Sequence, residues 1–355
     1  MWVYFCGLIA SLLIVGISRI KALKKYSNKI KFASVIPFLI ISAIRYDVGT
    51  DYMYRYVPSY NLIKNGFDVE SLEYAFKLLI KFCTMISSNY QMLFIITSFI
   101  ILIPIFYIMS KKSKCMELSI LIFFLGGFFF QSMNILRQYI AIACLLLGYN
   151  FIVEKKYVKF LFFYILAISF HTASIVAIVF LFINSKKEIK VPIIILTAII
   201  IFVFKAPIAQ VIRSIISMTR FSGYLGTSYD AVDISYFNFI KQLVIYISLA
   251  YLFYINKENS RKDKLSVFLL NVQGMAIIFY SLSSIISLFT RVYFFFSIFQ
   301  IISVPLFITY TNKKNNFYFY IFLVLILYST FFVNSNVLRN DNEVVPYHSY
   351  YNRNI

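Results

Sequence analysis

Apolar runs and short charged clusters alternate along nearly the whole chain. Many of the runs are 14 to 24 residues long with almost no charge, which is about the length that a helix needs to cross a bilayer. The pattern predicts an all-α, polytopic transmembrane helical bundle of about ten spans. The predicted spans are Trp2–Ser18, Phe32–Ile44, Tyr90–Met109, Leu118–Phe130, Ile140–Val153, Pro192–Phe204, Tyr236–Ile255, Leu265–Leu288, Val292–Tyr310 and Phe317–Val333.

Basic residues gather in the short segments between the predicted spans, where they indicate membrane topology. Six of them lie between Arg19 and Lys31, just after the first span, and place that loop in the cytoplasm and the N-terminus outside. We therefore expect a single integral membrane domain, 1–355, with outer loops 45–89 and 205–237 and an outer C-terminal tail 334–355. Because topology accounts for much of the net charge of +20, nucleic acid is not expected as a partner.

The cysteines and histidines of the sequence do not have the spacing of a metal site. The chain is 61% hydrophobic with a mean hydropathy of +0.80, and its four cysteines stand singly along the sequence. It has two histidines and no CxxC pair. Since no ligand set can be assembled by spacing, we expect neither a metal nor another cofactor.

The apolar run Phe160–Ile183 does not fit the charge pattern, because lysine clusters lie on both sides of it. A single span would place one of these clusters outside. A re-entrant hairpin with Phe170, His171 and Thr172 at its tip keeps both clusters in the cytoplasm, and such a break is tolerated where protein or a water-filled cavity surrounds it. A conventional span with an exception to the charge rule is the alternative.

Two further apolar stretches have the pattern of amphipathic helices. In Tyr74–Ser88 the polar residues recur at helical spacing along one stripe, and Pro207–Thr219 likewise carries one polar face. Both are expected to lie along the outer membrane interface.

The stretch SAIRYDVGTDYMYRY, from Ser42 to Tyr56, is the densest group of charges beside an apolar run. Gly49 permits a turn with positive φ, which would gather Arg45, Asp47 and Asp51 around one concave site. Tyr52 closes the motif, and Arg45, Asp47 and Tyr52 are candidates for substrate binding. The alternative is a solvated loop whose tyrosines lie in the interfacial aromatic belt.

Lysine and arginine are distributed differently across the predicted topology. The outer side holds 5 lysines and 8 arginines, and the inner side 19 lysines and 2 arginines. The outer arginines are Arg45, Arg55, Arg137, Arg213, Arg220, Arg291, Arg339 and Arg353. The topology rule treats both cations alike, whereas oxyanion binding favours the planar guanidinium.

Three of the outer arginines, Arg45, Arg137 and Arg291, stand at the ends of predicted spans, where arginines commonly face a cavity. Asn134 and Gln138 share a helix face beside Arg137. These residues are candidates for substrate binding. Snorkelling of the arginines to the lipid headgroups is the alternative.

Two residues are candidates for a general base. His171 lies alone in the apolar sequence FYILAISFHTASIVAI, and imidazole titrates near neutral pH. Asp51 would act instead if its carboxylate pointed into the same cavity. The alternatives are a satisfied core histidine and an Arg–Asp pair that only closes the turn.

The chain resembles the EpsG family of exopolysaccharide proteins, a Wzy-like group of polysaccharide polymerases. The resemblance rests on R-Y-D-V-G-T-D-Y (45–52), N-I-L-R-Q (134–138), F-H-T-A-S (170–174) and P-Y (346–347), in that order across the chain. It implies a membrane glycosyltransferase that joins oligosaccharide repeat units carried on polyprenyl diphosphate, at the extracytoplasmic face of the bacterial cytoplasmic membrane. Capsule, exopolysaccharide or O-antigen would be the product.

The implied chemistry agrees with the candidate residues. Arginines would neutralise the departing diphosphate, and Asp51 or His171 would take the proton of the acceptor hydroxyl. The expected partners are the lipid-linked oligosaccharide, membrane lipid and further polysaccharide assembly proteins. A flippase-like transporter of lipid-linked oligosaccharides and a non-catalytic scaffold of an assembly complex are the alternatives.

Overall fold

The structure, a computed structural model, describes residues 1–219, 222–227, 230, 235–311 and 314–352. Arg220, Arg353 and part of the predicted outer loop 205–237 lie outside the described residues. The chain forms two compact units. The first comprises Met1–Ile175 and Ile321–Ile355, and the second comprises Val176–Tyr320. The single domain expected from the sequence stays a prediction.

The described part of the first unit contains ten complete α-helices. They are α1 (Trp2–Ile17), α2 (Ser27–Ala33), α3 (Ile36–Ala43), α4 (Val57–Lys64), α5 (Tyr74–Ile86), α6 (Gln91–Lys112), α7 (Met116–Leu125), α8 (Phe128–Asn134), α9 (Leu136–Val153) and α10 (Tyr157–Phe170). A 3₁₀ segment, Lys21–Tyr26, precedes α2, and a π-helical turn, Tyr52–Tyr56, precedes α4.

The described part of the second unit contains seven complete α-helices. They are α11 (Val191–Val203), α12 (Lys205–Ser217), α13 (Tyr236–Ile255), α14 (Lys257–Lys262), α15 (Lys264–Leu282), α16 (Leu288–Ser297) and α17 (Gln300–Ile308). The last helix, α18 (Lys314–Phe332), continues into a π-helical turn, Val333–Leu338.

The all-α polytopic class predicted from the sequence is confirmed. Within the described residues, five helices are individually long and apolar enough to cross a membrane, and nine spans result if each of four bent helix pairs counts as one. The sequence predicts ten because it separates Trp2–Ser18 from Phe32–Ile44. In the structure the corresponding helices form one of the bent pairs, with an angle of 105°.

Glycine and proline determine where several helices end or begin. Helix α7 ends at Gly126, and Gly127 follows with φ +79°, a left-handed conformation that glycine adopts without steric cost. The helix direction changes there by 55°. Pro192 occupies the first turn of α11, where its missing N–H leaves no hydrogen bond unmade.

Aromatic side chains fill the core of the first unit around α3. Phe38 is fully buried and packs edge-on against Phe129 and Phe123, and in a tilted arrangement against Phe106. These rings belong to α8, α7 and α6. Because this core holds α3 in place, it also fixes where the polar segment 45–52 begins.

The break predicted inside Phe160–Ile183 lies at His171. Helix α10 ends at Phe170, His171 is extended with φ −152° and ψ 110°, and a 3₁₀ helix, Thr172–Phe182, follows. The Tyr164 hydroxyl donates to the Ile175 carbonyl at 2.8 Å. Eleven residues of straight helix would span about 16 Å, so the chain must turn sharply at His171. The turn is observed, while the re-entrant position in a membrane stays a prediction.

Both predicted amphipathic stretches are helical. Helix α5 buries Phe76, Ile80 and Cys83 against the first unit. In the second unit, α12 turns by 86° from α11, and its isoleucines pack against a cluster of Ile201, Ile285 and Ile286. A sharp turn after a span is what a helix lying along the interface requires.

The core of the second unit contains a network of buried amides. The side-chain Oε1 of Gln242 accepts from the Tyr293 hydroxyl at 3.1 Å and from the Gln300 side-chain amide at 2.5 Å. The Gln242 amide donates to Gln273 at 3.4 Å. These polar groups on α13, α15, α16 and α17 satisfy one another, as burial requires.

Candidate functional site

The segment after α3 forms the tight turn that its glycine predicts. Gly49 has φ +101°, and Asp47 has φ +48°. A side chain at position 49 would lie 3.5 Å from the Asn134 Cα and the Met133 carbonyl oxygen. The turn therefore packs its backbone directly on the end of α8, and two motifs from distant parts of the sequence meet there.

The C-terminal tail holds the same turn from the opposite end of the chain. The Tyr46 N–H donates to the His348 carbonyl at 2.9 Å, and the Gly49 N–H donates to the Glu343 carbonyl at 3.0 Å. An isolated antiparallel bridge pairs Arg45 with Ser349. The tail supplies backbone acceptors that the turn itself lacks.

Arg45 is fully buried within the protein, with 0% of its surface exposed. Its guanidinium donates to the Ser42 hydroxyl at 3.0 Å and the Met133 carbonyl at 2.9 Å, and it lies 4.9 Å from the centre of the Phe94 ring. Burial lowers the pKa of Arg45 to about 10, so it remains a cation at neutral pH. Its contacts join α3, α6 and α8.

Tyr52 is also buried, at 1% exposure. Its ring stacks on Phe94 with 3.8 Å between the ring centres, and its hydroxyl donates to the side-chain Oε1 of Gln91 at 2.9 Å. Gln91 in turn donates to the Ala43 carbonyl at 2.6 Å. These contacts are with protein groups and fix the turn against α6.

Asn134 connects the turn to the second polar motif. Its side-chain Oδ1 accepts from the Asp51 N–H at 2.9 Å, and its side-chain Nδ2 donates to the Thr50 hydroxyl at 3.1 Å. Asn134 is the last residue of α8, and Ile135, with φ −88° and ψ 63°, separates α8 from α9. The interruption exposes backbone groups to new partners, and the Leu136 N–H donates to the Tyr56 hydroxyl at 2.9 Å.

Arg137, in the first turn of α9, forms an ion pair with Glu73. Its guanidinium also donates to the Ser71 carbonyl at 3.3 Å. The other carboxylate oxygen of Glu73 lies 3.3 Å from His171 Nδ1 and accepts from the Thr172 N–H at 3.1 Å. One carboxylate thus joins the arginine of α9 to the histidine at the break after α10.

The group Arg137–Glu73–His171 is largely removed from solvent. The side chains of Arg137 and His171 are each 9% exposed, and that of Glu73 is 12% exposed. Burial alone would raise the pKa of Glu73, but the interactions with His171 and with the positive charge of Arg137 lower it to about 2. Glu73 is therefore ionised at neutral pH, where it pairs with Arg137 and accepts a hydrogen bond from the Thr172 N–H.

Asp51 belongs to the same electrostatic environment. Its carboxylate interacts with Arg137 and with Tyr56. Burial, followed by the negative charge of Asp51, raises the pKa of Tyr56 to about 12. Tyr56 therefore stays a neutral hydroxyl beside the interruption between α8 and α9.

The structure brings together four of the residues predicted from the sequence, namely Asp51, Asn134, Arg137 and His171. The others lie in different surroundings. Arg45, Tyr52 and Gln138 are buried, Asp47 is exposed, and Arg291 is half-buried in α16 of the second unit. Their predicted roles in substrate binding stay predictions.

Sequence reasoning missed Glu73. It precedes α5 by one residue, and it lies 64 positions from Arg137 and 98 from His171. No local spacing indicates that it contacts either. Its position directly before an amphipathic helix is the one signal that the sequence offers.

The helices and the buried charged group define the chain as a polytopic membrane protein with an ionic site built from α5, α9 and the break after α10. The family model for EpsG matches residues 28–349. The chain belongs to the EpsG family. No curated protein and no solved structure matches the chain.

Proposed function

We propose that the protein is a glycosyltransferase that polymerises oligosaccharide repeat units carried on polyprenyl diphosphate. The observation that carries this proposal is the single carboxylate, Glu73, that joins Arg137 to His171. A guanidinium for an anionic leaving group and an oriented imidazole for a hydroxyl proton are the two functions that this transfer needs.

His171 is the proposed general base. Because Glu73 is an ionised acceptor, the proton of a neutral imidazole belongs on Nδ1, facing the carboxylate. Nε2 then carries the lone pair that accepts a proton. A carboxylate at Nδ1 also stabilises the imidazolium that forms during transfer.

The proposed step transfers one oligosaccharide from its lipid carrier to an acceptor repeat unit. The acceptor hydroxyl oxygen attacks the anomeric carbon of the donor sugar, and its proton passes to His171 Nε2. The bond between the anomeric carbon and the diphosphate oxygen breaks. The bonding electrons leave with the polyprenyl diphosphate, whose growing negative charge Arg137 stabilises.

The neighbouring residues receive supporting roles in this proposal. Asn134 holds the turn that carries Asp51 beside Arg137, so Asp51 is placed to bind a sugar hydroxyl and remains the second candidate for the base. Arg45 and Tyr52 position that turn from the interior. Asp47, Gln138 and Arg291 are proposed to contact the lipid-linked oligosaccharide outside this group.

The proposed setting is the bacterial cytoplasmic membrane, with the site facing outward. The donor is a lipid, so membrane lipid surrounds the entrance, and further polysaccharide assembly proteins would receive the product. Helix α5 exposes the apolar side chains of Leu78, Phe82 and Met85. These side chains are suited to contact lipid beside the site.

Replacement of the proposed base tests the function. His171→Gln keeps a hydrogen-bonding side chain but cannot titrate, so cells with this variant should carry single repeat units on the lipid and no long surface glycan. His348→Gln is the matched control, because His348 uses its backbone carbonyl to hold Tyr46. It should retain normal glycan length.

Polymer of normal length with His171→Gln would remove His171 as the base. Asp51→Asn then tests the second candidate in the same assay. If neither variant shortens the glycan while both insert normally, the proposed transfer chemistry at this group is wrong. Repeat units trapped on the inner face after deletion of the protein would instead indicate a flippase.

A further inference from the structure

Arg137 is already occupied by an internal anion. Its guanidinium is paired with the Glu73 carboxylate, and both side chains are about nine-tenths buried. The proposed donor presents a diphosphate, which carries more negative charge than a carboxylate. A diphosphate that approaches the same guanidinium is repelled by the Glu73 carboxylate, because both groups are negatively charged and lie close together in a buried site.

Glu73 has a second partner that can keep it when Arg137 is lost. Its Oε1 atom faces His171 Nδ1 at 3.3 Å and the Thr172 N–H at 3.1 Å, while Oε2 faces Arg137. The carboxylate thus uses Oε2 for Arg137 and Oε1 for His171 and Thr172. When Arg137 moves away, the contacts of Oε1 are retained.

We infer that Glu73 is an internal competitor of the donor: it occupies the Arg137 guanidinium in the donor-free state and is displaced from it by the lipid diphosphate. This inference rests on the proposed function. On displacement, the charge of Glu73 is no longer shared with Arg137, and it acts on His171 alone. An anionic partner favours the protonated imidazole, so donor binding makes His171 a stronger base.

The competition affects binding and turnover in opposite directions. Removal of the charge at position 73 should tighten diphosphate binding, because no internal anion has to be displaced. The same change should slow transfer, because the imidazole loses the carboxylate that stabilises its protonated form. A general loss of structure would weaken both.

The test measures binding of farnesyl diphosphate and of inorganic pyrophosphate to purified protein in nanodiscs by isothermal titration calorimetry. We expect Glu73→Gln to bind each probe about tenfold more tightly than the natural protein, which is about 1.4 kcal/mol. The increase in affinity should be the same for both probes, since Glu73 competes with the diphosphate and not with the prenyl chain. Polymer formation should fall at least tenfold.

Two controls make the result specific. Glu70→Gln changes an exposed carboxylate in the same loop and should leave binding within twofold. Glu73→Asp keeps the negative charge on a shorter side chain, so binding should stay within about threefold while polymer formation falls. If Glu73→Gln fails to fold, Glu73→Ala removes the same charge and should likewise tighten the binding of both probes about tenfold.

Unchanged or weaker binding by folded Glu73→Gln would overturn the inference, as would tighter binding of farnesyl diphosphate alone. Arg137→Gln separates this failure from failure of the proposed function. If Arg137→Gln abolishes binding but Glu73→Gln does not tighten it, Arg137 is a diphosphate ligand without an internal competitor. If Arg137→Gln leaves binding unchanged, both the inference and the proposed role of Arg137 fail.

Discussion

Arg137→Lys tests whether the site needs the planar guanidinium or only a positive charge. In the structure one guanidinium nitrogen contacts the Glu73 carboxylate and the Ser71 carbonyl oxygen. An ammonium with three donors can keep the contact with Glu73, so the fold and the membrane topology should be preserved. What lysine loses is the pair of parallel N–H groups that binds two oxygens of one phosphate.

The expected loss is large because the missing interaction strengthens as the leaving group gains charge. Removal of one such donor typically costs ~2.7 to 4 kcal/mol, or about a hundredfold to a thousandfold in rate. The assay is polymer formed per unit of membrane-inserted protein. A snorkelling arginine would give a different result, since lysine snorkels equally well.

Arg339→Lys is the matched control. Arg339 is half-exposed and pairs with Asp341 at 3.2 Å, and exposed pairs contribute ~0 to 1 kcal/mol. Its activity should therefore stay within about twofold of the natural protein. If Arg137→Lys forms as much polymer as the natural protein, the Arg137 guanidinium is not needed to stabilise the leaving group. An equal loss of activity in Arg137→Lys and Arg339→Lys would indicate misfolding.

Three further predictions concern the turn, the ion pair and the topology. Gly49→Ala should cost about 1 to 2 kcal/mol, because φ +101° disfavours a side chain; a lower melting temperature in detergent checks this, and an unchanged one contradicts it. The pKa of Glu73 is lowered from 4.5 to about 2, so the ionised carboxylate stabilises the folded protein above pH 4.5, and this stabilisation is lost as the pH falls toward 2. The melting temperature of the natural protein should therefore fall over this pH range, and Glu73→Gln should lack this part of the decrease. In a cysteine-free background, an impermeant thiol reagent added outside should label Asn65→Cys and not Lys187→Cys, and labelling at position 187 would exclude the re-entrant arrangement of 160–183.

The sequence predicts the helices and the turn well because both depend on local chemistry. Apolar length determines a span, and Gly49 in a polar motif indicates positive φ, which the structure confirms. The lysine clusters on both sides of the apolar run 160–183 also predict the break, which the structure places at His171. In each case a few neighbouring residues contain the information.

The contacts between distant segments could not be predicted in this way. Glu73 meets Arg137 and His171 only because α5, α9 and α10 pack together. Likewise, nothing in the local sequence of the tail indicates that Glu343 and His348 present their backbone carbonyls to the turn at 46–49. Such contacts depend on the packing of whole helices.

Reconstitution of the purified protein tests the central claim most directly. The protein would be placed in liposomes with lipid-linked repeat units extracted from cells that lack it, and the products would be separated by glycan length. We predict a ladder of polymers on the lipid with the natural protein, and single repeat units with His171→Gln and Arg137→Lys. Single units with the natural protein, or an equal ladder with His171→Gln, would contradict the account.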